Sequence, residues 1–260
     1  RSTAAKLPLI TMLTAHRKSD VEGWFSAMRL VGHQPEFLPW LGFFHKLTLG
    51  DIYMIVDNVQ FKKKHFENRN RIRSRDGALW ITVPVRTQGR FNQHINEVAI
   101  DNRSAWQRKV LKSIELNYAK TPYFTTYWPF FSEVLSGESE VLAEFNEELI
   151  RGCIRFLGIE VEIVRCSDLG VVARGTDLIV EMCKVVGADA YVSGQSGREY
   201  LDEDIVASSG IDIAYQRFKH PQYRQVAEPF IPQMSVIDLL FNEGEKAGEY
   251  VRSAGTCEKS

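Results

Sequence analysis

The chain's apolar positions fall into short runs that alternate between strand-like and helix-like spacing. Residues 29–32 form a brief apolar run broken by Gly32, and His33-Gln34-Pro35 follows, where proline cannot donate to a ladder. A strand is predicted to end there in a loop. Residues 39–47 place a proline at a plausible first helical position and apolar side chains around one or two turns, which predicts a short buried helix. Residues 51–57 are a β-branched apolar run bounded by acids, as in a strand buried on both faces of a parallel sheet. A dense polar block over 62–73 leads to a predicted strand at 79–85.

Two amphipathic helices are predicted next, 104–118 with Ser104 as N-cap and 139–157 ended by Gly158. Alternation then resumes with a strand at 161–164, a helix at 175–186, a strand at 190–193, a glycine-rich turn and a strand at 211–216. A last helix, 235–241, has Ser235 at its cap and Asp238 at the third position of a capping-box variant. Helices connecting apolar runs are the crossovers that parallel strands require. The predicted fold is therefore α/β, a Rossmann-like, mainly parallel sheet with flanking helices and a helical insertion.

Composition sharpens this picture in a few respects. With 44% hydrophobic residues in 260, the chain can bury a substantial core. The expected organisation is an extension over residues 1–27, poorly ordered, then one domain over 28–248 and a tail over 249–260. Met28 is a plausible native start, and the run 7–13 makes a poor signal core because polar interruptions and a basic cluster follow it. The 32 Lys and Arg against 33 Asp and Glu give a net charge of -1, so no global field selects nucleic acid or an anionic membrane. The four cysteines form no C-x-x-C pair, which argues against a zinc ribbon or dithiol motif and for a reducing compartment. No apolar run reaches the roughly 18 residues of a membrane span, so a cytoplasmic protein without membrane insertion is expected.

Candidate chemistry gathers where strands end. His33 and Gln34 follow the first strand at the carboxyl edge of the sheet, where open α/β folds bind ligands, and a neutral imidazole there can act as a base. The plain alternative is a hydrogen-bonded turn histidine. Asp57 follows the second strand and leads through Gln60 into a basic block with Lys62, Lys63, Arg69 and Arg71, whose cations favour its ionised form and suit phosphate or carboxylate recognition. Ser193, Gly194 and Gly197 form a turn after another strand in which backbone amides can approach an anion, although neither a P-loop nor a G-x-G-x-x-G motif is present. His220, with Tyr223 and Gln225 beyond Pro221, is a second acid/base candidate, the alternative being a packed loop. No G-x-S-x-G occurs, no metal set has ligand spacing, and Cys166 reads as a buried structural thiol.

The motifs His33-Gln34-Pro35-Glu36-Phe37-Leu38-Pro39-Trp40-Leu41-Gly42, Val59-Gln60-Phe61, Asn68-Arg69-Asn70, Tyr191-Val192-Ser193-Gly194, His220-Pro221-Gln222-Tyr223-Arg224-Gln225 and the run 235–244 closely resemble the WbqC-like family. The likeness extends over about residues 29–244 in the family's order. Cys166-Ser167-Asp168-Leu169 departs from it, standing where two serines and a glutamate are expected. The resemblance implies a bacterial cytoplasmic protein of O-antigen, glycan or secondary-metabolite biosynthesis. Within that setting the leading expectation is an acyl or aminoacyl transferase acting on an amino sugar or similar amine. Its donor would be an acyl thioester of a carrier protein or coenzyme A, or an adenylate made from ATP, and its substrate a small molecule such as a nucleotide sugar. His33, Gln34, Asp57, Asn68 and His220 are the expected catalytic residues. Trp40, Lys46, Gln60, Lys63, Arg69, Arg71, Ser193, Gly194, Gly197, Tyr200, Tyr223 and Gln225 are the expected binding residues, with no metal. The alternatives are a nucleotidyltransferase or adenylate-forming enzyme, and a non-catalytic scaffold.

Overall fold

The computed structural model describes residues 27–260. The predicted extension and its weak signal core therefore lie, except for Ala27, outside the described residues. Among these, the main sheet has six strands: β1 (Arg29–His33), β2 (Ile52–Ile55), β5 (Glu162–Arg165), β6 (Ala190–Ser193), β7 (Asp212–Phe218) and β8 (Gly255–Lys259). Their spatial order is β5-β2-β1-β6-β7-β8, all pairs parallel except β7 with β8. This is the α/β, Rossmann-like architecture expected, and the strand order reverses between β1 and β6.

Alternation along the central strands decides which core each side chain enters. Leu30, Ile52 and Met54 face one apolar cluster with Ile179, Met182 and Ile213, whereas Val31, Tyr53 and Ile55 face another with Phe37, Phe43, Leu149 and Leu240. Both faces of the sheet are thus covered, which is why β2 reads as an unbroken apolar run. Helix α1 (Leu41–Leu47) packs on the second face and is tied to β7 through Gln216, whose Nε2 donates to Gly42 O at 2.8 Å.

Three helices, α2 (Trp106–Tyr118), α3 (Phe124–Ser136) and α4 (Leu142–Phe156), separate β2 and its following hairpin from β5. Helix α2 starts at Trp106 after an uncapping Ala105, not at Ser104. Helix α4 starts three residues later than its spacing suggests because Val141 still bridges Ala99 in extended conformation and Leu142 N donates to Val98 O. No element was predicted over α3, since Pro129 inside it removes a backbone donor and normally argues against a helix. The polar block also hides a strand. β3 (Arg69–Ser74) and β4 (Gly77–Thr82) form an antiparallel hairpin outside the main sheet, so the strand predicted at 79–85 lies in this hairpin instead.

Helix α5 (Thr176–Val186) is the crossover between β5 and β6, ended by Gly187 at φ 68°. Short helix α6 (Glu203–Ser208) precedes β7, and α7 (Val236–Glu243) begins at Ser235, as expected. Residues 249–260, read as a tail, contribute to α8 (Ala247–Arg252) and to β8, whose polar exposed side chains suit an edge strand.

Asp238 is buried, and its carboxylate is used away from its own helix cap. Tyr118 Oη donates to Oδ1 at 2.9 Å, and Tyr223 Oη and Gln225 Nε2 donate to Oδ2 at 2.7 and 2.8 Å. Arg73 N in turn donates to Tyr118 Oη, so this network locks the hairpin, α2 and α7 together. Asp238→Ala leaves the buried hydroxyls of Tyr118 and Tyr223 without an acceptor and takes one of two acceptors from Gln225 Nε2, and urea denaturation should show a loss of about 3 kcal/mol or more. Tyr223→Phe, which removes one donor, should cost about 1–2 kcal/mol.

Candidate functional site

The site grows from the parting of two parallel strands. The pairing of β1 with β6 covers Arg29–Leu30 against Ala190–Tyr191 and goes no further, so the strands separate toward their carboxyl ends where the order reverses. His33 stands at one lip and Ser193 at the other. Such a crevice is where open α/β sheets take ligands.

Around His33 the chain buries an ionisable cluster. The imidazole Nδ1 lies 3.0 Å from Gln34 O, a carbonyl that can only accept, so Nδ1 carries the proton and Nε2 keeps its lone pair. Nε2 sits 4.0 Å from Glu36 Oε1. Phe43 meets the ring edge-on at 4.8 Å, and about a quarter of the side chain remains open to solvent. Burial, reinforced by the Lys46 ammonium, pushes the His33 pKa down to about 3, so the ring is neutral at ordinary pH. Burial has the opposite effect on Glu36, raising it to about 8, with the Glu67 carboxylate adding to the rise and Lys46 opposing it. Lys46, from α1, donates from Nζ to Gly32 O at 3.0 Å and is lowered by burial to about 8. Tyr53 Oη, at 3.4 Å from His33 O, completes the group from the neighbouring strand.

Backbone stitching holds the two carboxyl-bearing segments. Asn146 of α4, fully buried, donates from Nδ2 to Pro35 O at 2.9 Å and to Glu67 O at 2.7 Å. Phe37 N donates to Phe66 O, and Asn70 Nδ2 donates to Phe37 O and Leu38 O. One strand over, the buried Asp57 accepts from Ser167 N at 3.1 Å and Ser167 Oγ at 2.6 Å. Glu147 is matched by Arg151 and Arg165 at 2.7 and 2.5 Å beside a cavity of about 390 Å³. A larger hollow of about 840 Å³ runs along α2 and is lined by none of these side chains.

Of the residues singled out from the sequence, His33, Gln34 and Lys46 meet here, with Asp57 just beyond the end of the adjacent strand and Ser193, Gly194 and Gly197 across the crevice. Ser193 Oγ donates to Gly194 O, and a side chain at Gly197 would strike that hydroxyl, its Cβ falling 2.0 Å away. The others serve elsewhere. Asn68 Nδ2 bonds Val83 O; Gln60 Nε2 bonds Phe91 O; Arg69 and Arg71 stack over Trp80; Lys63 lies over Phe91. Trp40 packs on Phe218 and His220, and Tyr200 is exposed. His220 uses both nitrogens, Nδ1 toward Pro221 O and Nε2 accepting from Gln233 N, while Tyr223 and Gln225 hold Asp238. Glu36, Tyr53 and Glu67 were missed as site residues. Glu36 stands three residues past His33, but only the fold shows that it is buried.

Cys166 is fully buried, its thiol pushed up to about 12, which removes its thiolate at ordinary pH. Among the described residues no group of three or more His, Cys, Asp or Glu is placed to hold a metal, and no helix is long and apolar enough to cross a membrane.

The model of the WbqC-like protein family matches residues 34–250. The uncharacterized protein Rv1507c of Mycobacterium tuberculosis is 32% identical over 221 residues, covering 84% of this chain and 95% of that relative. No solved structure matches.

A carboxyl whose folded pKa lies above its unfolded value binds a proton on folding, so its contribution to stability falls as pH rises from about 4.5 through about 8. Glu36→Gln, which cannot ionise, should therefore match the native protein at pH 4.5 and exceed it in thermal stability at pH 9. Asn146→Ala, by releasing Pro35 and Glu67, should lower the Glu36 titration midpoint followed by ¹³C-carboxyl NMR.

Proposed function

This chain belongs to the WbqC-like protein family, and we propose that it is a transferase that places an acyl or aminoacyl group on an amine, an amino sugar being the fitting class. The observation that carries this reading is the charge of the cluster. Glu36 and Glu67 are neighbouring carboxyl groups, opposed by Lys46 at Glu36 and by the exposed Lys62 and His65 at Glu67, and Asp57 lies buried against Ser167, while Glu147 is already matched by two arginines. A crevice with surplus carboxyl groups suits a cationic acceptor and disfavours a bare polyphosphate.

Glu36 has the pKa of a base matched to an ammonium group. Its carboxylate takes one proton from the bound ammonium, and the neutral Nε2 of His33 accepts a hydrogen bond that orients the amine. The amine nitrogen attacks the carbonyl carbon of a thioester, the new C–N bond forms and the C–S bond breaks. The first proton passes to solvent through Glu36 and the second leaves with the thiolate, so the products are an amide and a free thiol. Gln34 and the backbone amides at the start of the 195–199 turn flank the developing oxyanion from the two lips of the crevice. Asp57, fixed by Ser167, supplies a second contact for the amine. The physiological setting that the family suggests is glycan or O-antigen biosynthesis in a bacterial cytoplasm.

A second reading is favoured by the strand order and by the glycine-bearing turn after β6, which are also features of folds that hold a nucleotide at the switch point. In that case ATP or CTP is the donor and pyrophosphate is released.

The test is thiol release from acyl-coenzyme A with a panel of amino sugars. Amine-dependent release should rise with pH to a plateau above about 8 as Glu36 ionises. Glu36→Gln and His33→Ala should each lower kcat/KM by about 10²-fold or more, and full rates in both would remove the mechanism. Pyrophosphate release with no thiol release selects the second reading.

A further inference from the structure

The outer face of the β3–β4 hairpin is built unlike the rest of the surface. Residues 62–75 hold seven Lys and Arg, six of them at the surface and one, Arg73, buried with its guanidinium on Ala227 O and Pro229 O, and the one acid among them, Glu67, is buried on the site side. The chain as a whole is nearly neutral, so this positive charge is a local concentration. Alternation along β3 sends Asn70 and Ile72 inward, while Arg69 and Arg71 share the outward face with Trp80 and Thr82. The Arg69 guanidinium lies 4.3 Å from the Trp80 ring centre and that of Arg71 lies 5.7 Å away. Trp80 is 44% exposed, Phe66 packs beside it at 6.0 Å and is 38% exposed, and Phe91, 77% exposed, has Lys63 over it.

An exposed tryptophan with arginines at its faces and lysines at the margin has the composition of the centre of a protein interface. Large exposed aromatics that merely fold the chain would be buried. The cations name the partner's sign, and the position names its purpose. The inward side of the same strand, through Asn70 and the Phe37–Phe66 bond, grips the loop that carries Glu36. A partner on the outer face is thus one strand away from the reacting group.

We infer that the outer face of the β3–β4 hairpin, centred on Trp80, Arg69 and Arg71, docks a small acidic acyl-carrier protein that delivers the thioester donor. That this partner brings the donor rests on the transferase reading above; the charge and exposure of the face do not. A nucleic acid fits less well. The stacked guanidiniums already occupy the indole that would serve as a base-stacking platform, and a neutral chain lacks the extended field that tracks a phosphate backbone.

The full chain is titrated with holo acyl-carrier protein by fluorescence anisotropy, in low and high salt, beside a single-stranded RNA oligonucleotide. Binding of the carrier should weaken with salt and fall about tenfold or more in Trp80→Ala and in Lys64→Glu, with circular dichroism unchanged. Both side chains lie on the surface, and Lys64→Glu serves if Trp80→Ala perturbs the hairpin. Both variants should keep transfer from acyl-coenzyme A while losing transfer from the acyl-carrier. No carrier binding, binding untouched by either variant, or RNA binding through the same residues in its place overturns the inference. If coenzyme A supports transfer and the carrier does not bind, the surface assignment alone fails. If the carrier binds through this face and neither donor reacts, the transferase reading fails and the docking face stands.

Discussion

Asn146 spans from α4 to the carbonyls of Pro35 and Glu67, and these two hydrogen bonds bring together loops that are 32 residues apart in the chain. The segments so joined carry Glu36 and Glu67, whose mutual repulsion adds to the burial that keeps Glu36 protonated below about 8. Without that clamp the two carboxyls have no reason to share a dry environment. The amide is buried, and the carbonyls it joins satisfy both hydrogens of its Nδ2, while its Oδ1 has no hydrogen-bond partner among the described residues. The acid–base character of the site is therefore a consequence of a helix that belongs to the insertion between β2 and β5.

The insertion α2–α4 and the β3–β4 hairpin act as a second layer on the carboxyl edge of the sheet. The hairpin contacts the site loop on one face and solvent on the other, and the Asp238 network fastens it to α2 and α7. The parallel sheet alone would present His33 at an open edge. With the added layer water is largely excluded from Glu36, while Gln34 O fixes the His33 tautomer and Gly32 O holds Lys46. Rigid support from one side and a crevice on the other are what a positioned acid–base pair requires.

Several features of this arrangement were legible in the chain. The apolar runs, their flanking Gly and Pro residues and the helix spacing identified β1, β2, β5, β6, β7, α1, α2, α4, α5 and α7, because burial on one or both faces writes itself into a periodicity that local sequence preserves. His33 at a strand end followed from the same reasoning. Helix α3 was hidden by Pro129, and β3 by its outward arginines, since local rules take proline and clustered charge as signs of a break or a solvated face.

What the sequence determined by itself was the layered α/β plan and the presence of polar residues at its strand ends, for these depend on side chains a few positions apart. The tertiary structure alone decided that Glu36, Glu67, Lys46 and His33 form one buried cluster. It also decided that Tyr223 and Gln225 serve Asp238, and that both nitrogens of His220 are spent on the backbone. The reason is that desolvation and charge coupling act over distances through space, between loops separated along the chain, and no local pattern of residues encodes which of them will be brought out of water together.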